Sequence, residues 1–169
     1  EAALDPARWR STITAVSEAC GAFGANIMEP RSGGAFGGVL YSASLDRGME
    51  DYVGEEWHRR DGRARLIVPS KQRGVVLEQD FMAPDEENSV DFYRFLAKHR
   101  LRDAVMMDVS AEGDDLYFVL QGRIEAGGFS HADMSHFHAI RTRFMSAAQL
   151  MRHFSTSRNG GMAAAFETA

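Results

Sequence analysis

Cysteine is almost missing: Cys20 stands alone in 169 residues. A lone thiol cannot close an internal disulfide, so disulfide scaffolds, CxxC redox motifs and cysteine-based zinc fingers are all excluded. Disulfide chemistry of a redox-active enzyme is excluded too, because it needs a resolving cysteine. Positive charge is also in short supply, with 19 Lys and Arg against 24 Asp and Glu and a formal charge of −5. A surface that grips nucleic acid needs a net basic face, so any DNA contact has to come from a domain outside this chain. No apolar run approaches the ~20 residues that span a bilayer. The first residues, Glu1 to Pro6, lack the charged-then-apolar layout of a signal peptide, so the chain reads as cytoplasmic. Internal repeats and low-complexity tracts are absent as well.

What remains is an ordinary globular balance, 44% hydrophobic and 25% charged, at a length that suits one domain burying about two thirds of its unfolded surface. Asp5 and Pro6 suit the start of a helix that carries Trp9, Ile13, Val16 and Cys20 on one face and stops at Gly21. Residues 23–28 and 38–44 read as a strand hairpin around the turn-prone run from Glu29 to Gly34. Asp46 is placed to cap a second helix with Met49, Tyr52, Val53 and Trp57 on one side, ending near Asp61 and Gly62. The apolar segment Leu66-Ile67-Val68 closes at Pro69, and residues 75–77 form a short extended stretch. Ser89 suits the cap of a third helix with Phe92, Phe95 and Leu96 inward, and residues 104–109 and 116–124 alternate as two neighbouring strands. Ser130 to Asp133 opens a long helix to about Phe154, after which residues 155–169 read as a linker. The fold class is therefore α+β: an antiparallel sheet of about five strands flanked by helices, with a long C-terminal helix closing the domain at residue 154. A start at Glu1 and a helix-like end from Met162 to Ala169 suggest a piece of a longer protein.

Motifs of chemistry are weak throughout. The glycine run from Gly33 to Gly38 lacks a GK[ST] ending and leads into a strand, which fits a hairpin loop better than a phosphate cradle. His131, His136 and His138 crowd one helix start. At ~100° per residue, however, the last two point about 200° apart, and no HExxH or facial-triad pattern accompanies them, so no metal site is expected. Ser42 and Ser44 lack a nucleophile elbow. No catalytic residue, metal or cofactor is assigned, and the chain reads as a non-enzyme. The last helix instead carries Phe137, Ile140, Phe144, Ala147, Met151 and Phe154 at alternating three- and four-residue steps, the spacing of an a/d seam. Paired with the stripe Trp9, Ile13 and Val16, it points to a homodimer across terminal helices; the alternative is that both stripes cover one face of the domain's own sheet.

Taken in order, Pro6-Ala7-Arg8-Trp9, Tyr52 with Trp57 and Asp61, Asp80-Phe81-Met82, Ser89 to Tyr93, and the run from Gly128 to Phe154 resemble the N-terminal sensor half of LuxR-type transcription regulators. The resemblance spans most of the chain. It implies a GAF/PAS-like fold, an unidentified small-molecule signal, and a helix-turn-helix DNA-binding domain further along the chain. Better-known members of that family bind acyl-homoserine lactones, with a Tyr, a Trp and an Asp around the ligand's polar head. Tyr52, Trp57 and Asp61 are the matching candidates, although Trp57 lies five residues after Tyr52 and Asp61 is followed by Gly62 rather than Pro. The bland alternative makes Tyr52 and Trp57 packed aromatics and Asp61 a cap or an ion-pair partner of Arg59, Arg60 or Arg63. Four classes stay open: a sensor for some small molecule, a lactone receptor, a ligand-free interaction module, and a small enzyme on a GAF scaffold.

Overall fold

The computed structural model describes residues 8–30, 36–81, 87–110 and 115–147. Strands β1 (Gly24–Pro30), β2 (Phe36–Tyr41), β3 (Val75–Leu77), β4 (Leu101–Asp108) and β5 (Tyr117–Arg123) form one sheet in the order β2-β1-β5-β4-β3. Every neighbouring pair is antiparallel. Helices α1 (Trp9–Ala19), α2 (Asp46–Gly54), α3 (Ile67–Arg73), α4 (Glu87–Lys98) and α5 (134–147) flank it, so the five-stranded α+β expectation holds. Among the described residues no helix is long and apolar enough to cross a membrane.

Period-two alternation divides the sheet into two buried faces. Ile27, Leu77, Val105, Met107, Phe118 and Leu120 point to one side, where α1 and α5 cover them. Met28, Val76, Ala104, Met106 and Val119 point to the other, toward Leu66. A third apolar cluster follows on that side, where Leu45, Trp57, Phe92 and Phe95 pack together. The result is three layers, with the terminal helices on one face and α2 to α4 on the other.

Among the described residues, the stripes expected to form an intermolecular seam also pack inside the protomer. Ile13, Phe137 and Phe144 are buried in the cluster beneath the sheet, and Trp9, Val16 and Ile140 pack against its edge. The Phe144 ring stacks on Phe118 at 4.2 Å between centroids and meets Trp9 at 6.1 Å. A dimer through α1 and α5 would therefore have to use their outer faces, because the sheet already holds the inner ones. Ala147 is half-buried at the end of α5 as described, and Met151 and Phe154 lie outside the described residues, as do Asp5, Pro6 and the linker.

Several boundaries differ from the sequence-based expectation for local reasons. The second helix stops at Gly54, because Glu56 takes a left-handed φ of 56° and Trp57 begins a separate 3-10 turn. Asp46 opens α2 without capping it and pairs instead with Arg10 of α1. Pro69 does not close the apolar segment. It sits in the first turn of α3, where its missing N–H has no helical partner to lose. Ser89 falls inside α4, which already starts at Glu87. The expected capping box is present, with Ser130 and Asp133 reciprocally bonded, but it caps a 3-10 turn, His131–Asp133, that runs into α5. Just before it, Gly128 holds a φ of 84°, and a Cβ there would lie 2.3 Å from an Asp103 carboxylate oxygen. Asp103 uses that space to accept the Phe129 N–H at 3.2 Å, which fixes how β5 leads into α5.

Candidate functional site

Between the sheet and α2 lies a cavity of about 240 Å³. Ligand pockets commonly measure ~300–1,000 Å³, so this one suits a small occupant. Met28, Ala104, Met106 and Val119 form its floor from the sheet, while Met49, Phe95 and Leu96 close it from the helices. It reaches the surface at Val53, which is 58% exposed. Apolar walls of this kind supply affinity, and a few polar groups then orient what binds.

Those polar groups form one connected chain. Tyr52 donates its hydroxyl hydrogen to Asp61 Oδ2 at 2.9 Å. Arg63 grips the same carboxylate with Nε at 3.0 Å from Oδ1 and Nη2 at 2.7 Å from Oδ2, and its backbone N–H also reaches Oδ1 at 2.9 Å. Its Nη1 donates to Gln121 Oε1 at 3.1 Å, and Gln121 Nε2 donates to Asn26 Oδ1 at 2.9 Å. The bidentate pair is deeply buried, with side-chain exposures of 11% for Arg63 and 3% for Asp61. Burial works to lower the Arg63 pKa, but the adjoining Asp61 outweighs it and holds the guanidinium charged. Burial, then the Asp61 charge, push the Tyr52 phenol well above its usual range, so it stays a donor.

Asp61 does cap the turn from Gly62 to Leu66 and does pair with Arg63, yet it also lines the cavity beside Tyr52. Trp57 is not brought to the site. It is 5% exposed, packs on Phe92 and Phe95 at 5.4 Å, and donates its indole N–H to Glu55 at 3.0 Å, with Arg60 stacked on its ring. Asn26, Gln121, Arg63 and His58 line the cavity without having been singled out as binding residues. Asn26 and Gln121 were detectable as lone polar side chains among apolar strand neighbours.

A second carboxyl lies behind the chain. Glu78 is 1% exposed, accepts the Tyr93 hydroxyl hydrogen at 3.0 Å through Oε1, and has no partner for Oε2 among the described residues. Burial raises its pKa to about 7, against the opposing pull of Arg63. The folded chain therefore holds a proton there that the unfolded chain, with an ordinary value of 4.5, releases earlier. This contribution to stability is complete below the unfolded value and is lost as pH rises through about 7. Glu78→Gln keeps the acceptor for Tyr93 and removes the charge, so urea unfolding should show the variant gaining on the parent from about pH 5 upward and holding a constant advantage above about 7. The expected advantage is about 3 kcal/mol at most, with much of the parent's slope between pH 5 and 7 removed. An unchanged slope would mean that Glu78 is solvated.

No metal-binding group of three or more His, Cys, Asp or Glu occurs among the described residues. His131 pairs with Asp80 at 3.1 Å and His138 is exposed. His136 Nε2 stands 4.0 Å from Cys20 Sγ, but burial pushes the thiol pKa up, which is the wrong direction for an activated nucleophile. Ser42 accepts the Ala25 N–H at 3.0 Å and contacts Ser44, a structural arrangement at the end of β2. Residues 36–38 of the glycine run belong to β2, and the rest lies outside the described residues.

No family model and no curated protein sequence matches the chain. Solved structures do match its fold. The ligand-binding domain of VqsR from Pseudomonas aeruginosa superposes with a TM-score of 0.65 at 15% identity, covering 90% of this chain and 91% of that one. The N-acylhomoserine lactone-dependent LuxR-family transcription factor CepR2 from Burkholderia cenocepacia gives 0.60 at 16% identity, covering 84% and 82%. The chain thus has the fold of LuxR-family ligand-binding domains, as the sequence resemblance implied.

Proposed function

We propose that this chain is the small-molecule-sensing domain of a transcription regulator, and that it acts by binding rather than by catalysis. The observation that carries this reading is the cavity itself: apolar walls with one connected polar end, on the sheet face opposite the terminal helices. The shared fold of two regulator domains supports it. Val119 and Gln121 line the cavity, while Phe118 and Leu120 of the same strand pack under α1 and α5. A signal that favours one packing of β5 therefore biases the terminal helices, which is a population shift and needs no covalent step. DNA contact is left to a domain outside these residues, in keeping with the chain's formal charge of −5.

Acyl-homoserine lactone is the narrower reading, supported by what CepR2 depends on and by Tyr52 and Asp61 at the cavity. Trp57 weakens it, because its N–H is committed to Glu55. Native mass spectrometry of the purified domain, beside the denatured protein, tests the sensor reading. A carried-through small molecule is expected, absent from an Ala104→Phe variant that fills the cavity floor. A ligand that survives in that variant would place binding elsewhere and overturn the reading.

A further inference from the structure

Two buried carboxyl groups act on Arg63, and only Asp61 is bonded to it. Asp61 holds Nε at 3.0 Å and Nη2 at 2.7 Å, while Nη1 goes to Gln121 Oε1 at 3.1 Å. A guanidinium has five N–H groups, so one hydrogen on Nη1 and one on Nη2 stay unused among the described residues. Helix α4 brings the second carboxyl to the same corner. Its Phe92 ring lies 4.6 Å from the Arg63 guanidinium, and the next residue, Tyr93, donates its hydroxyl hydrogen to Glu78 Oε1 at 3.0 Å. Glu78 Oε2 is buried and bonded to nothing among the described residues. The groups acting most strongly on Glu78 are Arg63 and Asp61 from the turn after Trp57, Tyr93 from α4 and Asp103 from β4, and of these only Arg63 is a cation. Asp80, on the turn that Glu78 opens, is engaged with His131 at 3.1 Å.

While Glu78 keeps its proton, the cluster of Asp61, Arg63 and Glu78 is neutral. Without the proton, two carboxylates share one guanidinium, and Oε2 becomes part of a buried charge that lacks a donor. Such a charge costs far more than the rearrangement of one hydrogen bond.

We propose that Glu78 and Asp61 compete for Arg63, and that the Glu78 proton switches the polar end of the cavity between two folded arrangements. With the proton on, Arg63 is held by Asp61 and Gln121 as described. With it off, Nη1 turns from Gln121 to Glu78 Oε2, and the Gln121 amide, bonded still to Asn26, loses its anchor on the turn. Burial, ahead of the pull of Arg63, places the exchange at about pH 7, so acid favours the first arrangement and alkali the second. The switch needs no occupant of the cavity, and it stands or falls independently of the sensor reading.

A titration of the 13C- and 15N-labelled chain from about pH 5 to about 9 tests this by NMR at the Glu78 carboxyl, the Arg63 Nε–H and the Gln121 side-chain NH2. All three are expected to move with one midpoint at about 7. Asp61→Asn removes the competitor and should lower the Glu78 midpoint by about one to three units. Glu78→Gln keeps the size and the acceptor for Tyr93, and it should abolish the step at Arg63 and Gln121, leaving both at their acid positions. This second variant decides the matter if Asp61→Asn does not fold. A step at Arg63 or Gln121 that survives Glu78→Gln belongs to another group and overturns the proposal. So does a Glu78 carboxyl that titrates at its ordinary 4.5, that titrates while Arg63 and Gln121 stay unmoved, or that keeps its midpoint in Asp61→Asn.

Discussion

Replacing Arg63 with methionine is expected to cost about 3–5 kcal/mol of folding stability, because it leaves the Asp61 carboxylate buried with no opposite charge. The size follows from geometry. An exposed ion pair is worth about 0–1 kcal/mol, since water screens it and both side chains lose freedom to form it. Here the pair is bidentate, and Asp61 retains only 3% side-chain exposure. The remaining partner of the stranded carboxylate is Tyr52, along with the Arg63 backbone N–H, neither of which carries charge. Methionine fills much of the arginine stem and keeps the contact with Phe92, over which the guanidinium now lies at 4.6 Å, so packing is a small part of the loss. Adding Asp61→Leu to the same chain should restore part of the stability, as removing both charges often does where removing one is severe. Urea midpoints of the two variants decide the matter. A single-variant loss under about 1 kcal/mol would mean that water reaches the pair, and the cavity would then be wetter at that end than its 8% exposed Asp61 indicates.

Most of the order of elements was legible in the sequence because hydrophobic period carries it directly; the exception is the seven-residue α3, too short to show a helical period and hidden by Pro69 in its first turn. Strands β4 and β5 alternate between two buried faces, and the long stripe from Phe137 to Phe144 repeats as a helix must. Such a stripe does not say what it faces, which is why a seam between copies and a cover for the protomer's own sheet look alike until the sheet is seen. Trp57 was misplaced on a helical face for a different reason. The break before it is the end of α2 at Gly54, followed by the left-handed Glu56, and an isolated glycine inside an otherwise periodic stretch is a weak stop signal. On an unbroken helix Trp57 would share a side with Val53; the 3-10 turn sends it instead into the aromatic cluster with Phe92 and Phe95.

The candidate site was only half legible, since it is assembled from positions far apart in the chain. Asp61 and Arg63 sit two residues apart and were readable as a local pair. Asn26 and Gln121 are separated by 95 residues and meet because β1 and β5 are neighbours in the sheet. The signal for each was a lone amide in an apolar run, Asn26 among Ala25, Ile27 and Met28, and Gln121 after Val119 and Leu120. An amide that must be buried needs partners, and the register that aligns Gly24 with Gln121 and Asn26 with Val119 supplies them on one face. Glu78 had no such signal, because an acid at the end of a three-residue strand is ordinarily solvated.

Phe144→Ala carries the other large expectation, a loss of about 3–5 kcal/mol, the usual cost of removing an aromatic ring from a packed core. The ring is 9% exposed, and it joins Trp9 of α1 to Phe118 of β5, so one side chain fastens both terminal helices to the sheet. What distinguishes this from a dimer seam is concentration. Energy lost within a protomer lowers the unfolding midpoint equally at every protein concentration, whereas energy lost between copies makes the midpoint depend on concentration in the parent and frees it in the variant. Denaturation of parent and variant at two concentrations a hundredfold apart therefore reads the role of the stripe directly. A concentration-independent drop assigns Phe144 to the protomer core. The same result bears on signalling, because Phe118 is flanked on β5 by Tyr117 and Val119, and Val119 lines the cavity. On the proposed sensor reading, the Phe118–Phe144 stack links the strand that lines the cavity to α5, and Phe144→Ala is expected to weaken that link where the domain still folds and still binds.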